Sequence, residues 1–279
     1  MIKGFVRLLS GKPQHAIGSD GRMALSDHLR ELRARLIRAT LVVVLVFFVM
    51  LYFYNDLYQL VLDPYLRARE QIDSSTKTEP VINGVTAGLT FQLKLCGVAA
   101  LLASSPYWLY QIWGFILPGL HASERKWSRI FAAIAGPLFF AGAATGYYVL
   151  PKAIAVLIGF TPEGVTNLVE FTEFFSFISR MLLIFGIAFE IPLFVVMLNL
   201  AGVVSGKALG RYRPWIILAT FVFAAVGTPS TDPFSMLFLA VPMLLLFLVA
   251  EVIARLVDRA RGKGEESTEN WDDDELSPL

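Results

Sequence analysis

Six apolar stretches alternate with polar segments along the chain. They cover about residues 36–54, 89–117, 130–150, 174–200, 215–226 and 234–250. Roughly 20 consecutive apolar residues are enough for an α-helix to cross the hydrocarbon core of a membrane. The pattern therefore predicts an all-α integral membrane protein with six transmembrane helices. This transmembrane domain is predicted over residues 26–262, between a basic tail of residues 1–25 and an acidic, disordered tail of residues 263–279.

Proline and glycine residues inside these stretches predict helices that bend and pack closely. Pro106, Pro192 and Pro242 are expected to break or bend the second, fourth and sixth spans. Gly142 and Gly146 in the third span are four residues apart, a spacing that lets two membrane helices approach closely. Six curved helices are expected to form a cup rather than a closed cylinder.

Two further features depart from a regular helical bundle. The fifth span runs from position 214 to 228 and has only 15 residues. Such a helix is about 22 Å long, against a hydrocarbon core of about 30 Å, so it needs a locally thinner membrane or shelter within the protein. The longest loop, between the first two spans, contains Asp63 followed by Pro64, which predicts a turn or a helix break.

The distribution of basic residues predicts the orientation of the spans. Of the 24 lysines and arginines, 18 fall in segments on one side of the predicted membrane and four in loops on the other side. Basic loops remain on the cytoplasmic side, so both termini are predicted to lie in the cytoplasm, with the protein in the cytoplasmic (inner) membrane. The composition, 56% hydrophobic and 17% charged, excludes a soluble domain.

No set of residues typical of catalysis or metal binding stands out in the sequence. All three histidines lie outside the apolar stretches, and Cys96 is the only cysteine, which excludes a disulfide or a cysteine metal site within one chain. The metalloprotease, nucleophile-elbow and phosphate-loop motifs are lacking. The charge pattern gives no support for nucleic-acid binding. We therefore expect no enzyme activity, no cofactor and no metal.

Charged residues within the apolar stretches mark candidate functional positions, because an ionised group in the membrane interior is costly. Glu190 lies deep in the fourth span, and Arg180 precedes it by ten residues. One hypothesis is a secondary transporter that uses Glu190 as an ion or proton site, with Arg180 as counter-charge, but no inverted repeat is visible. A hydrogen-bonded packing role for Glu190 is the simpler alternative. Asp232 lies in the short outer turn between the fifth and sixth spans.

Two carboxylates stand among basic residues on the predicted inner side. Glu31 precedes Arg35 by four residues, the spacing of a helical ion pair worth about 0.2–0.5 kcal/mol. Glu124 stands at the start of the third span, where a carboxylate complements the helix dipole. Spacing alone therefore leaves open a structural scaffold in which both carboxylates could be replaced.

Four motifs, taken together, favour a specific function over a structural scaffold. They are HLRELRARL before the first span, YQIWGFILPGLHASERK between the second and third, FGIAFEIPL in the fourth and GTPSTDPFS before the sixth. Their order, over about residues 23–254, resembles the TatC family, the signal-recognising subunit of the twin-arginine protein translocase. The resemblance implies a protein that binds the twin-arginine signal peptides of folded proteins at the cytoplasmic face. It would then nucleate their export, driven by the proton-motive force, without consuming nucleotide.

The resemblance also implies roles for individual residues. Signal-peptide binding would fall to Glu31, Arg33, Phe115 and Glu124, and structural or partner contacts to Pro64, Glu190 and Asp232. The implied partners are TatA and TatB type small membrane subunits, further copies of this chain and the lipid bilayer. The acidic residue that family members often carry in the sixth span corresponds to Leu248. Glu251 lies three residues later and is predicted to pair with Arg255.

Overall fold

The computed structural model describes residues 25–72, 77–116, 125–162, 164–200, 202–227 and 233–260. Within these ranges the chain is mostly helical. The helices are α1 Leu25–Tyr52, α2 Tyr54–Glu70, α3 Ala87–Ala103, α4 Ser105–Ile116, α5 Arg125–Gly159, α6 Phe171–Leu200, α7 Gly206–Arg211, α8 Arg213–Gly227 and α9 Pro233–Ala260. Two short strands, β1 Lys77–Val81 and β2 Thr166–Glu170, pair in parallel. The mostly helical fold confirms the coarse prediction, which omitted both strands.

Among the described residues, four helices are long and apolar enough to cross a membrane: Ser26–Tyr52, Ala133–Gly159, Phe171–Leu200 and Met236–Ala260. Helices α3 and α4 pass the same test only as a pair, because the chain bends by 55° between them. Helix α8 is apolar but has only 15 residues, in agreement with the predicted short fifth span. Length and composition therefore support four spans, or five if the bent pair counts as one.

The bend between α3 and α4 falls at Ser104, two residues before Pro106. A proline ring has no N–H to continue the helical ladder, so nearby carbonyl groups lose their helical donors. A side chain replaces part of this loss: the Trp108 indole N–H donates to Leu101 O at 2.9 Å. The predicted break at Pro106 is confirmed. Pro192 and Pro242, in contrast, lie within continuous helices.

At the centre of the fold, α5 and α9 both pack against α6. Glycines allow the close approach: a Cβ added at Gly142 would lie 2.5 Å from Phe185 O and 3.0 Å from Gly186 Cα. Gly146 similarly faces the Phe185 side chain. Around this contact lies a cluster of buried aromatic and aliphatic side chains that includes Phe91, Phe175, Ile178, Met181, Phe185 and Leu239.

Helix α2 corrects the prediction of a turn or break at Asp63 and Pro64. The helix runs through both residues, and Pro64 is buried inside it. Because proline cannot donate to the carbonyl group four residues earlier, Leu60 O needs another donor. The Tyr147 hydroxyl, from α5, lies 2.9 Å from Leu60 O and 3.1 Å from Asp63 Oδ2. This contact both satisfies the helix at Pro64 and fixes α2 on α5.

Candidate functional site

The first helix presents its polar face to the protein and its apolar face outward. Asp27 and Ala34 are buried, and Glu31 and Arg35 are partly buried, on the side that packs against α4. The leucines of the same segment are exposed: Leu29, Leu32 and Leu36. A membrane helix gains nothing from burying leucine in protein rather than in lipid, whereas polar groups need partners. The polar face of α1 therefore carries the candidate site.

Glu31 is held by an arginine on its own helix. Arg35 donates from Nε to Glu31 Oε1 at 2.8 Å and from Nη2 to the same oxygen at 2.6 Å. The predicted ion pair is thus present, and both of its hydrogen bonds end on Oε1. Arg35 also reaches across to α4, where Nη1 lies 3.5 Å from Gln111 Oε1. The pair does not use the second carboxylate oxygen, Oε2, which can accept from another donor.

Helix α4 lies close to the Glu31–Arg35 pair at Gly114, where it has no side chain. A Cβ added at Gly114 would lie 2.5 Å from Arg35 Nη1 and 3.2 Å from Arg35 Cζ. The neighbouring Phe115 stacks on His28 of α1, with ring centroids 4.3 Å apart and planes 15° apart. The structure thus brings Phe115 and Glu31 to one junction between α1 and α4. Sequence analysis did not single out His28, Gln111 or Gly114 for this junction.

We expect Gly114→Ala to weaken binding of the twin-arginine peptide that the resemblance implies, without unfolding the protein. The atoms that the new methyl group would meet belong to the end of the flexible Arg35 side chain, which can move away. The displaced guanidinium would then no longer orient Glu31. Thermal unfolding and titration with a twin-arginine peptide measure the two effects separately. Unchanged affinity would show that the position of Arg35 is unimportant for binding.

One other predicted binding residue, Arg33, does not join this junction. Arg33 is exposed on α1. Since neighbouring residues on a helix point about 100° apart, Arg33 does not share the face of Glu31 and Ala34. Glu124 and Asp232 both lie outside the described residues.

Glu190 of α6 lies in a mostly apolar environment between α4, α5 and α6. The indole N–H of Trp113 donates to Glu190 Oε2 at 3.2 Å, while Oε1 is buried without a hydrogen-bond partner in the structure. Leu193, Met197 and Phe131 belong to the buried cluster around Trp113. Arg180 is exposed on the same helix, ten residues away. The arrangement therefore fits a polar contact with α4 rather than a Glu190–Arg180 charge pair.

A second polar group lies where α7 and the start of α8 pack against α9. Buried Glu251 accepts hydrogen bonds from Arg255, as predicted, and also from Arg213 at the start of α8. The side chain of Leu248 is exposed. Glu251 is therefore bound by two arginines, one helical turn from Leu248, the position at which the resemblance implied an acidic residue.

Among the described residues, no group of three or more His, Cys, Asp and Glu side chains is arranged to hold a metal ion. The carboxylates that the described fold holds with donors include one bound by arginine at α1, one bound by an indole at α6, and one bound by two arginines at α9. The first offers an acceptor for a guanidinium group near an aromatic surface. This chemistry suits the recognition of a peptide.

Long apolar helices that enclose such carboxylates define a multi-pass membrane protein. A family model described as "Sec-independent protein translocase protein (TatC)" matches residues 27–242. The chain is 41% identical over 272 residues to the Sec-independent protein translocase protein TatC of Frankia casuarinae, covering 93% of this chain and 74% of that protein. The chain belongs to the TatC family, whose members are protein translocase components rather than enzymes.

Other matches support the same assignment. The Escherichia coli K12 protein of the same name is 33% identical over 243 residues, covering 86% of this chain and 92% of that protein. A crystal structure titled as the twin-arginine translocase receptor TatC aligns with a TM-score of 0.70 and 30% sequence identity, covering 83% of this chain and 100% of that one. The likeness therefore extends through nearly the whole membrane domain.

Proposed function

We propose that this chain is the signal-recognising core of a twin-arginine translocation system. It binds twin-arginine signal peptides of folded proteins at the cytoplasmic face and nucleates their export, driven by the proton-motive force. The observation that carries the proposal is Glu31, a carboxylate held by Arg35 at the junction of α1 and α4, with one oxygen left for a further donor. The match to a twin-arginine translocase receptor supports the same function.

The chemistry of the junction supports recognition of arginine rather than of any cation. A guanidinium group is planar and can donate two parallel hydrogen bonds, whereas an ammonium group is a compact charge without this geometry. Glu31 and Glu124 would each accept one arginine of the signal. Phe115, stacked on His28, would offer its ring to the apolar part of the signal peptide, and exposed Arg33 would contact the peptide from the adjacent face.

Binding of a twin-arginine signal peptide and its twin-lysine variant to the purified protein tests this proposal. We expect the twin-arginine peptide to bind more tightly by about 10-fold or more, because each charge-assisted hydrogen bond contributes about 1.5–3 kcal/mol. The two peptides have the same charge, so nonspecific attraction affects both equally. Equal, weak binding of the two peptides would contradict the receptor function.

We infer further that the chain crosses the cytoplasmic (inner) membrane six times, with both termini inside. The sixth crossing is α8, whose 15 residues would require a locally thinner membrane. The four long helices and the bent α3–α4 pair supply the other five. The excess of Lys and Arg in the proposed inner segments supports this orientation.

Small subunits of the TatA and TatB type, together with further copies of this chain, are the proposed partners. Glu190 Oε1 is buried and has no hydrogen-bond partner among the described residues, so we propose that Glu190 contacts a polar group of a partner helix. Pro64, which is part of the helix fixed on α5, and Asp232 are proposed to shape the outer surface that faces these partners.

Glu190→Gln is expected to reduce copurification of coexpressed TatA and TatB type subunits by several-fold. The amide is nearly isosteric with the carboxyl group but is uncharged and presents a different set of donors and acceptors. Glu173→Gln, an exposed change at the outer end of the same helix, is the matched control. Loss of copurification with both variants, or with neither, would count against a partner contact at Glu190.

A further inference from the structure

The inner ends of α7, α8 and α9 hold two arginines on one carboxylate. Arg213 donates to Glu251 from Nε at 3.1 Å and from Nη2 at 2.8 Å, and Arg255 donates from Nε at 3.0 Å and from Nη2 at 2.7 Å. The Glu251 side chain is 3% exposed. One carboxylate neutralises only one of the two guanidinium groups, so the trio keeps a net positive charge.

These two guanidinium groups are fixed in position and still accessible. Arg255 lies across α7 because two glycines make room for it: a Cβ at Gly206 would lie 2.7 Å from Arg255 N, and one at Gly210 would overlap Arg255 Nη2. The side chains of Arg213 and Arg255 are 46% and 54% exposed. Each guanidinium has five N–H donors. Since Glu251 occupies only Nε and Nη2, donors remain on the exposed edges for a second anion.

Nearby charges increase the positive potential. Lys207 and Arg211 on α7 and Arg259 on α9 are exposed. The other acidic side chain in these segments, Asp258, is already engaged: it accepts from Asn199 Nδ2 at 2.8 Å and from the Gly206 N–H at 2.6 Å. We use the name inner arginine patch for the five basic residues Lys207, Arg211, Arg213, Arg255 and Arg259.

We propose that the inner arginine patch binds the acidic segment that follows α9 in this same chain. Residues 265–279 contain seven acidic residues, three of them consecutive at Asp272, Asp273 and Asp274, and no lysine or arginine. Carboxylate and guanidinium groups form bidentate, charge-assisted hydrogen bonds. The proposal does not depend on whether the chain binds twin-arginine peptides.

The position of the acidic segment in the chain favours it over other anions as the ligand of the inner arginine patch. Helix α9 ends at Ala260, five residues after Arg255, or about 8 Å along the axis. The 12 residues 261–272 would span about 19 Å in root-mean-square distance as a random coil, which is long enough for Asp272 to reach the patch. A tethered ligand of this kind has an effective concentration in the millimolar range. Phospholipid phosphates would compete for the same donors but lack this tether.

Pulsed electron paramagnetic resonance on the full chain in zwitterionic nanodiscs tests the proposal. In a Cys96→Ala background, nitroxide labels on Ser277→Cys and Val203→Cys report the distance between the segment and α7. We expect a short, narrow distance distribution at low salt that broadens at high salt. Asp272→Asn, Asp273→Asn and Asp274→Asn together should lower the ratio of bound to free segment about tenfold. Replacing Ser267, Thr268 and Asn270 with alanine is the control and should change little.

Four outcomes would overturn the proposal. A broad distribution that neither salt nor the asparagine substitutions change would show that the segment does not bind. A short distance to a label on Leu32→Cys instead would place the segment on the α1 surface. Release by anionic lipid at physiological salt would show that phospholipid is the resident ligand. Arg255→Gln, which leaves Arg213 on Glu251, should weaken binding; an unchanged distribution in this variant would also exclude the patch.

Discussion

Glu31→Gln is expected to lower the affinity for a twin-arginine signal peptide by about 10- to 150-fold, because each charge-assisted hydrogen bond is worth about 1.5–3 kcal/mol. The glutamine side chain keeps the size of Glu31 but loses its negative charge. Arg35, which now donates twice to Glu31 Oε1, would remain in place as an unneutralised cation beside the incoming arginines. The loss of attraction to Glu31 and the repulsion by Arg35 therefore both weaken peptide binding.

The selectivity for arginine distinguishes recognition from simple charge attraction. If Glu31 accepts a planar guanidinium group, Glu31→Gln should reduce binding of the twin-arginine peptide much more than binding of the twin-lysine peptide. If it only contributes to a negative potential, both peptides should lose affinity by the same factor. Isothermal titration or fluorescence anisotropy with both peptides gives the comparison directly.

Protein stability and a matched variant control this experiment. The Glu31–Arg35 pair is partly exposed, so its loss should destabilise the fold by less than about 1 kcal/mol. Glu79→Gln removes an exposed carboxylate from β1 on the other side of the fold, with the same change in net charge. It should leave peptide binding unchanged. A Glu31→Gln protein that melts normally and binds the twin-arginine peptide with parental affinity would contradict the role proposed for Glu31.

The lengths of the apolar stretches predicted most of the fold. A membrane span is set by the number of consecutive apolar residues, which can be counted without knowing any tertiary contact. The short apolar helix Arg213–Gly227 was predicted within one residue at each end. The break before Pro106 was predictable for a similar reason, because the cause lies in the proline itself.

The features that sequence analysis missed depend on partners far along the chain. Pro64 does not end α2, because the hydroxyl of Tyr147, 87 residues from Leu60, donates to the carbonyl group that proline leaves free. Trp113 and Glu190 are 77 residues apart. Glu251 was assigned only its local partner, Arg255, while Arg213, 38 residues away, contributes as many hydrogen bonds. Helical spacing identifies neighbours on one helix but carries no information about which helices meet.

At the candidate site too, contacts within one helix were predictable from the sequence and contacts between helices were not. The pairing of Glu31 with Arg35 followed from their spacing, but the contribution of α4 did not. The leucines at helical spacing in this segment would mark the buried face of a helix in a soluble protein. In α1 they are exposed, and the face that packs on α4 carries Glu31 and Arg35. The hydrophobic pattern therefore locates a membrane helix, but the polar pattern shows which face contacts protein.

Gly142→Ala is expected to be the most destabilising small substitution in the described core. Its Cβ would meet the backbone of α6, at 2.5 Å from Phe185 O and 3.0 Å from Gly186 Cα, and neither atom can move without shifting the helix. Overpacking of this kind typically costs about 1–3 kcal/mol. Gly146→Ala should cost less, because its nearest neighbours are side-chain atoms of Phe185 at 3.1 Å.

Gly97→Ala on α3 is the matched control for this comparison, because no atom lies within 4 Å of a Cβ added there. All three substitutions restrict the unfolded chain to the same extent and favour helix equally, so differences between them report packing in the folded state. Thermal unfolding in detergent should show a melting temperature lowered by about 3–10 °C for Gly142→Ala. Gly97→Ala should melt at or slightly above the parental temperature. Similar melting temperatures for Gly142→Ala and Gly97→Ala would mean that α5 and α6 are not in backbone contact, and the arrangement of the central helices would have to be revised.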